Sequence, residues 1–170
     1  MRFTLALALT LTTTAAQADP SVFGLTIGKT TEEQFLKQYS ANQIGTNLYN
    51  NGHMYVVAPD SIDFDGLQKV LVVFDAKGSL AGVDAQFPKE KFDYLNQALG
   101  KKYKLVDKKI PFVGNKRATY KDGNSKIILD APHMSFKMNM TYLTREFEKA
   151  IADGEREAKS RQKGREESQL

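Results

Sequence analysis

Alternation of apolar and polar residues runs through most of the chain and predicts a sheet. Residues 70–74 form a β-branched and aromatic run, Gly78 closes a turn, and residues 80–87 return as a second strand. Because such short turns join antiparallel neighbours, we expect an antiparallel arrangement. Further extended segments are predicted over residues 54–57, 103–106, 117–120 and 126–129.

Other segments carry the spacing of amphipathic helices. Thr30 and Glu33 have the spacing of a capping box, which predicts the start of a first helix that ends over residues 42–45. Pro88 fits the first turn of a second helix, where its missing N–H leaves no hydrogen bond unmade. The apolar stripe of that second helix would consist of Phe92, Leu95 and Leu99.

Two segments of the chain resemble each other. "YNNGHMYVVAP" (49–59) and "YKDGNSKIILDAP" (120–132) share a tyrosine, a turn ending in glycine, an aliphatic strand and Ala-Pro. Each follows a predicted helix, which indicates two related helix-plus-hairpin halves. The pattern as a whole predicts an α+β fold, with an antiparallel sheet, helices packed on one face and a charged C-terminal helix or tail.

The two ends of the chain differ in composition from its centre. Arg2, the apolar run over residues 3–11 and Ala16-Gln17-Ala18 are typical of a secretory signal peptide, residues 1–18, cleaved after Ala18. Residues 19–152 are then a single α+β domain. Residues 153–170 contain few apolar side chains and predict a charged, frayed or disordered tail. An exported chain without cysteine is typical of the bacterial periplasm, where we expect this protein.

The chain lacks the motifs of most catalytic sites. It contains no cysteine and two histidines, and it has neither a Gly-x-Ser-x-Gly nucleophile motif nor a glycine-rich phosphate loop. We therefore expect a protein that is not an enzyme and needs no cofactor. A carboxylate-based hydrolase of the cell envelope stays open as an alternative. Its candidate residues would be Asp63, Asp65, Asp84 and Asp130.

The segment "APHMSFKMNM", residues 131–140, holds three of the five methionines. Its alternation predicts one amphipathic strand, with a polar row from His133 to Thr141 on the side away from the core. The core side would hold Met134, Phe136, Met138, Met140 and Tyr142. Thioether and imidazole groups also bind copper, so a carrier of copper or of a small apolar ligand is a further alternative. The candidate metal ligands are His53, Met54, Met138 and Met140.

A basic segment surrounds one apolar loop. Between Lys101 and Lys121 the chain has eight basic side chains and one acidic side chain, Asp107. "KKIPFVGNK", residues 108–116, lies within this segment, and its proline and glycine predict a constrained recognition loop with an aromatic side chain. The alternative is an irregular sheet edge that lysines protect from aggregation. The candidate binding residues are Pro111, Phe112, Lys116, Arg117 and His133.

The pieces "FGLTIGKTTEEQF", "PFVGNK" and "LDAPHMSF" resemble small, uncharacterised exported proteins of bacteria. The opening Phe-Gly-x-x-x-Gly-x-Thr-x-x-Glu is also similar to the start of β-lactamase-inhibitor-like domains. That resemblance implies helix-plus-sheet repeats used for protein binding. We therefore expect a periplasmic, non-enzymatic binding module that recognises a protein or an envelope component, as an inhibitor or adaptor does. We expect neither a nucleic-acid partner nor a transmembrane segment.

Overall fold

The computed structural model of the protein describes residues 19–170, and the predicted signal peptide, residues 1–18, lies outside the described residues. A ribbon of two short strands comes first, β1 (Ser21–Val22) and β2 (Leu25–Thr26). The next unit consists of α1 (Glu32–Gln38), β3 (Ala41–Thr46), β4 (His53–Val57), β5 (Lys69–Phe74) and β6 (Leu80–Pro88). The second unit consists of α2 (Phe92–Gly100), β7 (Lys104–Lys109), β8 (Lys116–Asp122), β9 (Ser125–Ala131) and β10 (Lys137–Thr144). A long helix, α3 (Arg145–Glu167), ends the chain.

Strands β3 to β10 form one antiparallel sheet in the order β3-β4-β5-β6-β10-β9-β8-β7. Each unit is thus a helix followed by a four-stranded meander, and the units join where Ala85 of β6 lies opposite Met140 of β10. The α+β class and the antiparallel sheet are therefore confirmed. The outermost strand of each unit also has an irregular register, at Gln43/Gly45 in β3 and at Leu105/Asp107 in β7.

The two halves do not align as the sequence comparison paired them. Residues 49–59 contain β4, the second strand of its unit, whereas residues 120–132 contain β9, the third strand of its unit. Both are strands bounded by a glycine turn and a proline, and this shared local chemistry produced the similarity. By position in the sheet, β4 corresponds to β8.

Three predicted boundaries were wrong. The residue that caps α1 is Thr31, whose hydroxyl accepts from the Gln34 N–H at 3.2 Å, while Thr30 instead accepts from the Thr26 N–H at 2.8 Å. Residues 42–45 lie in β3 and do not end a helix. The sequence did not reveal this strand, because an exposed edge strand has no buried face that imposes alternation of apolar and polar residues. Helix α2 begins only at Phe92, because β6 continues to Pro88 and a 3-10 turn follows it.

The main core lies between the sheet and the first two helices. Phe35 is the buried residue of α1, and Phe92, Leu95 and Leu99 form the predicted buried stripe of α2. Helix α3 differs, since Phe147 packs against Val73 and Ala81 on the opposite face of the sheet. Gly82 leaves room there, because a Cβ at this position would lie 3.3 Å from the Phe147 ring.

Beyond Gly154, α3 continues as an exposed, charged helix. Every residue from Glu155 onward is exposed, and ion pairs such as Arg161 with Glu157 at 3.6 Å lie along this part. Such exposed pairs add only about 0.2–0.5 kcal/mol each, so fraying of this segment stays a prediction. None of the described helices is both long enough and apolar enough to cross a bilayer.

Candidate binding site at two adjacent loops

Two loops lie side by side at one end of the sheet. The first, residues 110–115, joins β7 to β8, and the second, residues 132–136, joins β9 to β10. Because Lys116 at the start of β8 pairs with Ala131 at the end of β9, the loops emerge from neighbouring strands. We call the two loops together the loop tip.

The second loop corrects the prediction of one continuous strand over residues 131–140. Met138, Met140 and Tyr142 are buried in β10 as predicted, but Met134 and Phe136 have an exposed fraction of 88% each. The physical reason is connectivity: Pro132 ends β9, and an antiparallel partner can begin only after the chain has turned. The predicted polar row is shortened in the same way, since only its last three members, Lys137, Asn139 and Thr141, lie in β10 on the side that faces away from α1 and α2.

Four large apolar side chains project from the loop tip into solvent. Phe112 is fully exposed, and Val113 has an exposed fraction of 68%. Met134 and Phe136 add a second pair from the neighbouring loop. Single exposed apolar residues are ordinary on protein surfaces, whereas a group of them makes the loop tip a candidate interaction site.

Hydrogen bonds hold the two loops in place. The His133 N–H donates to Asn115 Oδ1 at 2.6 Å, which ties the second loop to the first. The backbone N–H of Lys89 donates to the Phe136 carbonyl at 2.9 Å, and Lys89 Nζ donates to the Pro132 carbonyl at 2.6 Å. These bonds join the second loop to the base of the first loop at Asn115 and to Lys89.

The backbone of the second loop places a methionine where glycine or asparagine is usual. Met134 has φ +65° in a turn that the Ser135 N–H closes onto the Pro132 carbonyl at 3.4 Å. A left-handed conformation costs a residue with a side chain roughly 1 kcal/mol or more. Strain of this kind is concentrated at functional sites, which adds weight to the loop tip as a candidate.

Basic side chains lie behind the apolar group. Lys116 Nζ lies 3.6 Å from Asp93 Oδ1 and 5.5 Å from the centre of the Phe92 ring, and Arg117 Nη1 lies 3.4 Å from Asp130 Oδ1. Further exposed cations on the adjoining strand ends are Lys108, Lys109 and Lys137. The surface around the loop tip is therefore apolar at its end and cationic at its base.

The structure brings the five sequence-predicted binding residues to one end of the sheet. Pro111 and Phe112 lie in the first loop, Lys116 and Arg117 begin β8, and His133 lies in the second loop. Sequence reasoning missed Val113, Met134 and Phe136. Pro132 was the signal for the last two, because a proline that ends one strand requires a turn before the next.

The four candidate copper ligands are not brought together. Met138 and Met140 are buried in the main core from β10, whereas Met54 packs with the α3 cluster on the other face of the sheet. His53 Nδ1 lies 2.8 Å from Glu32 Oε1. Burial raises the pKa of Glu32, but hydrogen bonds from Tyr55 and His53 outweigh burial and leave the pKa below its ordinary value. Within residues 19–170, no three histidine or acidic side chains are grouped so as to hold a metal ion.

The candidate carboxylates lie in different surroundings. Asp84 accepts hydrogen bonds from Thr141 Oγ1 at 2.6 Å and Asn139 Nδ2 at 2.9 Å on the sheet face away from α1 and α2. Burial raises the pKa of Asp84, and these bonds and the charge of Lys69 oppose that rise. Asp130 pairs with Arg117, and Asp63 and Asp65 lie in the loop between β4 and β5, which forms a shallow depression.

A cavity of about 230 Å³ lies on the helical face, beneath the β1–β2 ribbon. Met140 and Tyr142 line it from the sheet, and Phe23 and Phe64 meet edge to face at 5.9 Å on another side. Burial raises the pKa of Tyr142 well above the ordinary tyrosine value, which keeps this phenol neutral. The cavity wall is thus largely aromatic and apolar on these sides, and Ser21, Lys102 and Tyr103 add polar groups to it.

Comparison with known proteins adds no relative to this description. No family model, curated protein or solved structure matches the chain. The function therefore has to be inferred from the residues of this chain.

Proposed function

We propose that this protein is a non-enzymatic binding module of the bacterial envelope that recognises a partner, a protein or another envelope component, through the loop tip. The observation that carries the proposal is the group of four exposed apolar side chains on two loops, which hydrogen bonds join to each other and to Lys89 directly after β6. A rigid site loses little conformational entropy on binding, so its exposed area contributes more fully to affinity.

Composition and the N-terminal residues support the location. A charged residue, an apolar run and Ala16-Gln17-Ala18 have the order of a cleaved export signal, and a chain without cysteine needs no disulfide to fold after export. The absence of a catalytic motif from the sequence supports a binding role over an enzymatic one. The periplasmic location and the adaptor-like or inhibitor-like role remain parts of this proposal.

A retention experiment tests the proposal. Immobilised wild type, a Phe112→Ala/Lys116→Ala variant and a Leu48→Ala variant would be incubated with solubilised envelope extract, and retained proteins and lipids would be identified by mass spectrometry. Leu48 is the matched control, because its exposed fraction is 93% and it lies at the opposite end of the sheet. We expect the double variant to lose at least nine-tenths of what wild type and Leu48→Ala retain. Equal retention by all three proteins would contradict the proposal.

The cavity beside Met140 favours a second candidate function, a carrier of a small apolar ligand. A cavity of about 150 Å³ lined by apolar side chains can hold one benzene ring, so about 230 Å³ suits an aromatic molecule of one or two fused rings. Indole is a suitable probe, and Ala98→Phe should fill the cavity from α2. Calorimetric binding to wild type that disappears in Ala98→Phe would support the carrier role, and no binding to wild type would exclude indole-sized ligands.

A further inference from the structure

We infer that the partner of the loop tip is an anionic lipid bilayer, into whose interface the four apolar side chains insert while the basic side chains contact lipid phosphates. This inference rests on the proposed function and names the class of envelope component that the module recognises. Three features of the loop tip carry it: its geometry, its charge and the use of its own polar groups.

The geometry places the apolar and the cationic groups at two depths. Phe112 lies in the middle of its loop and is fully exposed. Lys109 precedes it by three residues, and Lys116 follows it by four residues. At about 3.3 Å per residue along an extended chain, the cations follow within roughly 10–13 Å of the aromatic ring. Interfacial segments bury their apolar groups about 5–10 Å into the boundary between headgroups and acyl chains. Insertion of Phe112 to that depth therefore brings the exposed Lys109 to the level of the phosphates, while Lys116 lies behind it against Asp93.

The charge of the segment fits an anionic surface. Three carboxylates lie near the loop tip: Asp93 and Asp130 are each next to a cation, Lys116 and Arg117, and the exposed Glu90 lies between Lys89 and Lys91 in the chain. Lys108, Lys109 and Lys137 are exposed around the same loops and add further positive charge. Each basic residue close to an anionic membrane raises the partition coefficient about fivefold.

Several polar groups of the second loop are used in hydrogen bonds within the protein, which favours a lipid over a protein partner. Asn115 Oδ1 accepts from His133, and the Pro132 carbonyl accepts from Lys89. Ser135 Oγ accepts from the Lys137 N–H at 3.0 Å. The second loop therefore has fewer groups left for directional hydrogen bonds to a partner. A protein interface normally carries about one hydrogen bond per 100–200 Å², whereas a fluid apolar phase requires neither hydrogen bonds nor a matching shape.

Flotation with lipid vesicles tests the inference. The folded chain, residues 19–170, would be mixed with two kinds of vesicle. One kind contains phosphatidylcholine alone, and the other contains phosphatidylcholine with roughly 30% phosphatidylglycerol, which makes its surface anionic. We expect wild type to float with the anionic vesicles only, and 0.5 M NaCl to reduce the floated fraction because salt screens surface charge. Phe112→Ala/Phe136→Ala and Lys109→Ala/Lys137→Ala should each lower the partition coefficient at least tenfold.

Two controls separate the lipid inference from the proposed function. Leu48→Ala should bind vesicles like wild type, and circular dichroism should show that every variant is folded. Absence of binding to anionic vesicles, or binding that survives Phe112→Ala/Phe136→Ala, would overturn the lipid inference. If envelope proteins were still retained through Phe112 and Lys116, the partner would be a protein and the proposed function would stand. If the protein neither bound anionic vesicles nor retained envelope proteins through these residues, both the lipid inference and the proposed function would be contradicted.

Discussion

Replacing Gly52 with alanine is expected to lower the free energy of unfolding by roughly 3 kcal/mol or more. A Cβ at this position would lie 1.8 Å from the Phe74 carbonyl oxygen and 2.4 Å from its carbon, so the backbone of β5 would have to move. The surrounding turn cannot easily yield, because Gly52 O accepts from Asn47 N at 2.7 Å and Asn50 Nδ2 donates to Phe74 O at 3.1 Å. Urea denaturation monitored by circular dichroism measures the effect.

Gly164→Ala is the matched control for Gly52→Ala. Apart from the adjacent residues and the backbone of its own helix, no atom lies within 4 Å of a Cβ added there, and the residue lies in the exposed part of α3. Alanine should therefore increase the helicity of the charged segment, at a gain of up to about 1 kcal/mol for that helix. A Gly52→Ala protein as stable as wild type would show that the 47–52 turn is not packed against β5 as described.

Met138→Ala is expected to cost about 2–5 kcal/mol of the free energy of unfolding, whereas Met134→Ala should change it by less than about 0.5 kcal/mol. Met138 is fully buried in β10 opposite Phe87 of β6, and its truncation leaves a cavity in the main core. Met134 is exposed in the second loop. Both substitutions remove the same atoms, so the comparison isolates burial.

The pair of methionine variants also separates the two accounts of residues 131–140. A continuous strand would bury Met134 and Met138 together, so both variants would lose a large part of the free energy of unfolding. A loop followed by β10 predicts a large loss of the free energy of unfolding for Met138→Ala alone. Thermal unfolding followed by calorimetry would decide between them, and a loss above 2 kcal/mol for Met134→Ala would contradict the loop.

Local chemistry made much of the fold predictable from the sequence. The hairpin of β5 and β6 follows from a β-branched run, a glycine at φ +76° and a returning alternation. The stripe of Phe92, Leu95 and Leu99 follows from helical spacing. Strand β3 was missed because it is an edge strand whose residues are mostly exposed, so nothing in its pattern marks a buried face. The third helix lies on the opposite face of the sheet for a tertiary reason, the space left at Gly82.

The candidate site was predictable only in part. Proline and glycine around Phe112 predicted a constrained loop, and the structure gives that loop a fully exposed aromatic ring. The second loop could not be joined to it from local pattern, because their proximity depends on the pairing of β8 with β9. Strand alternation, extended past Pro132, assigned Met134 and Phe136 to the core, although the chain turns through these residues.

Site-specific photo-crosslinking in intact cells tests the central claim, that partner contact occurs through the loop tip. A photoreactive phenylalanine analogue would replace Phe112 or Phe136 in turn, with replacement of Leu48 as the control at the opposite end of the sheet. We predict that irradiation yields the same adducts, lipid or protein, from positions 112 and 136 and none of them from position 48. Adducts from position 48 alone, or no adduct from either loop, would contradict the claim.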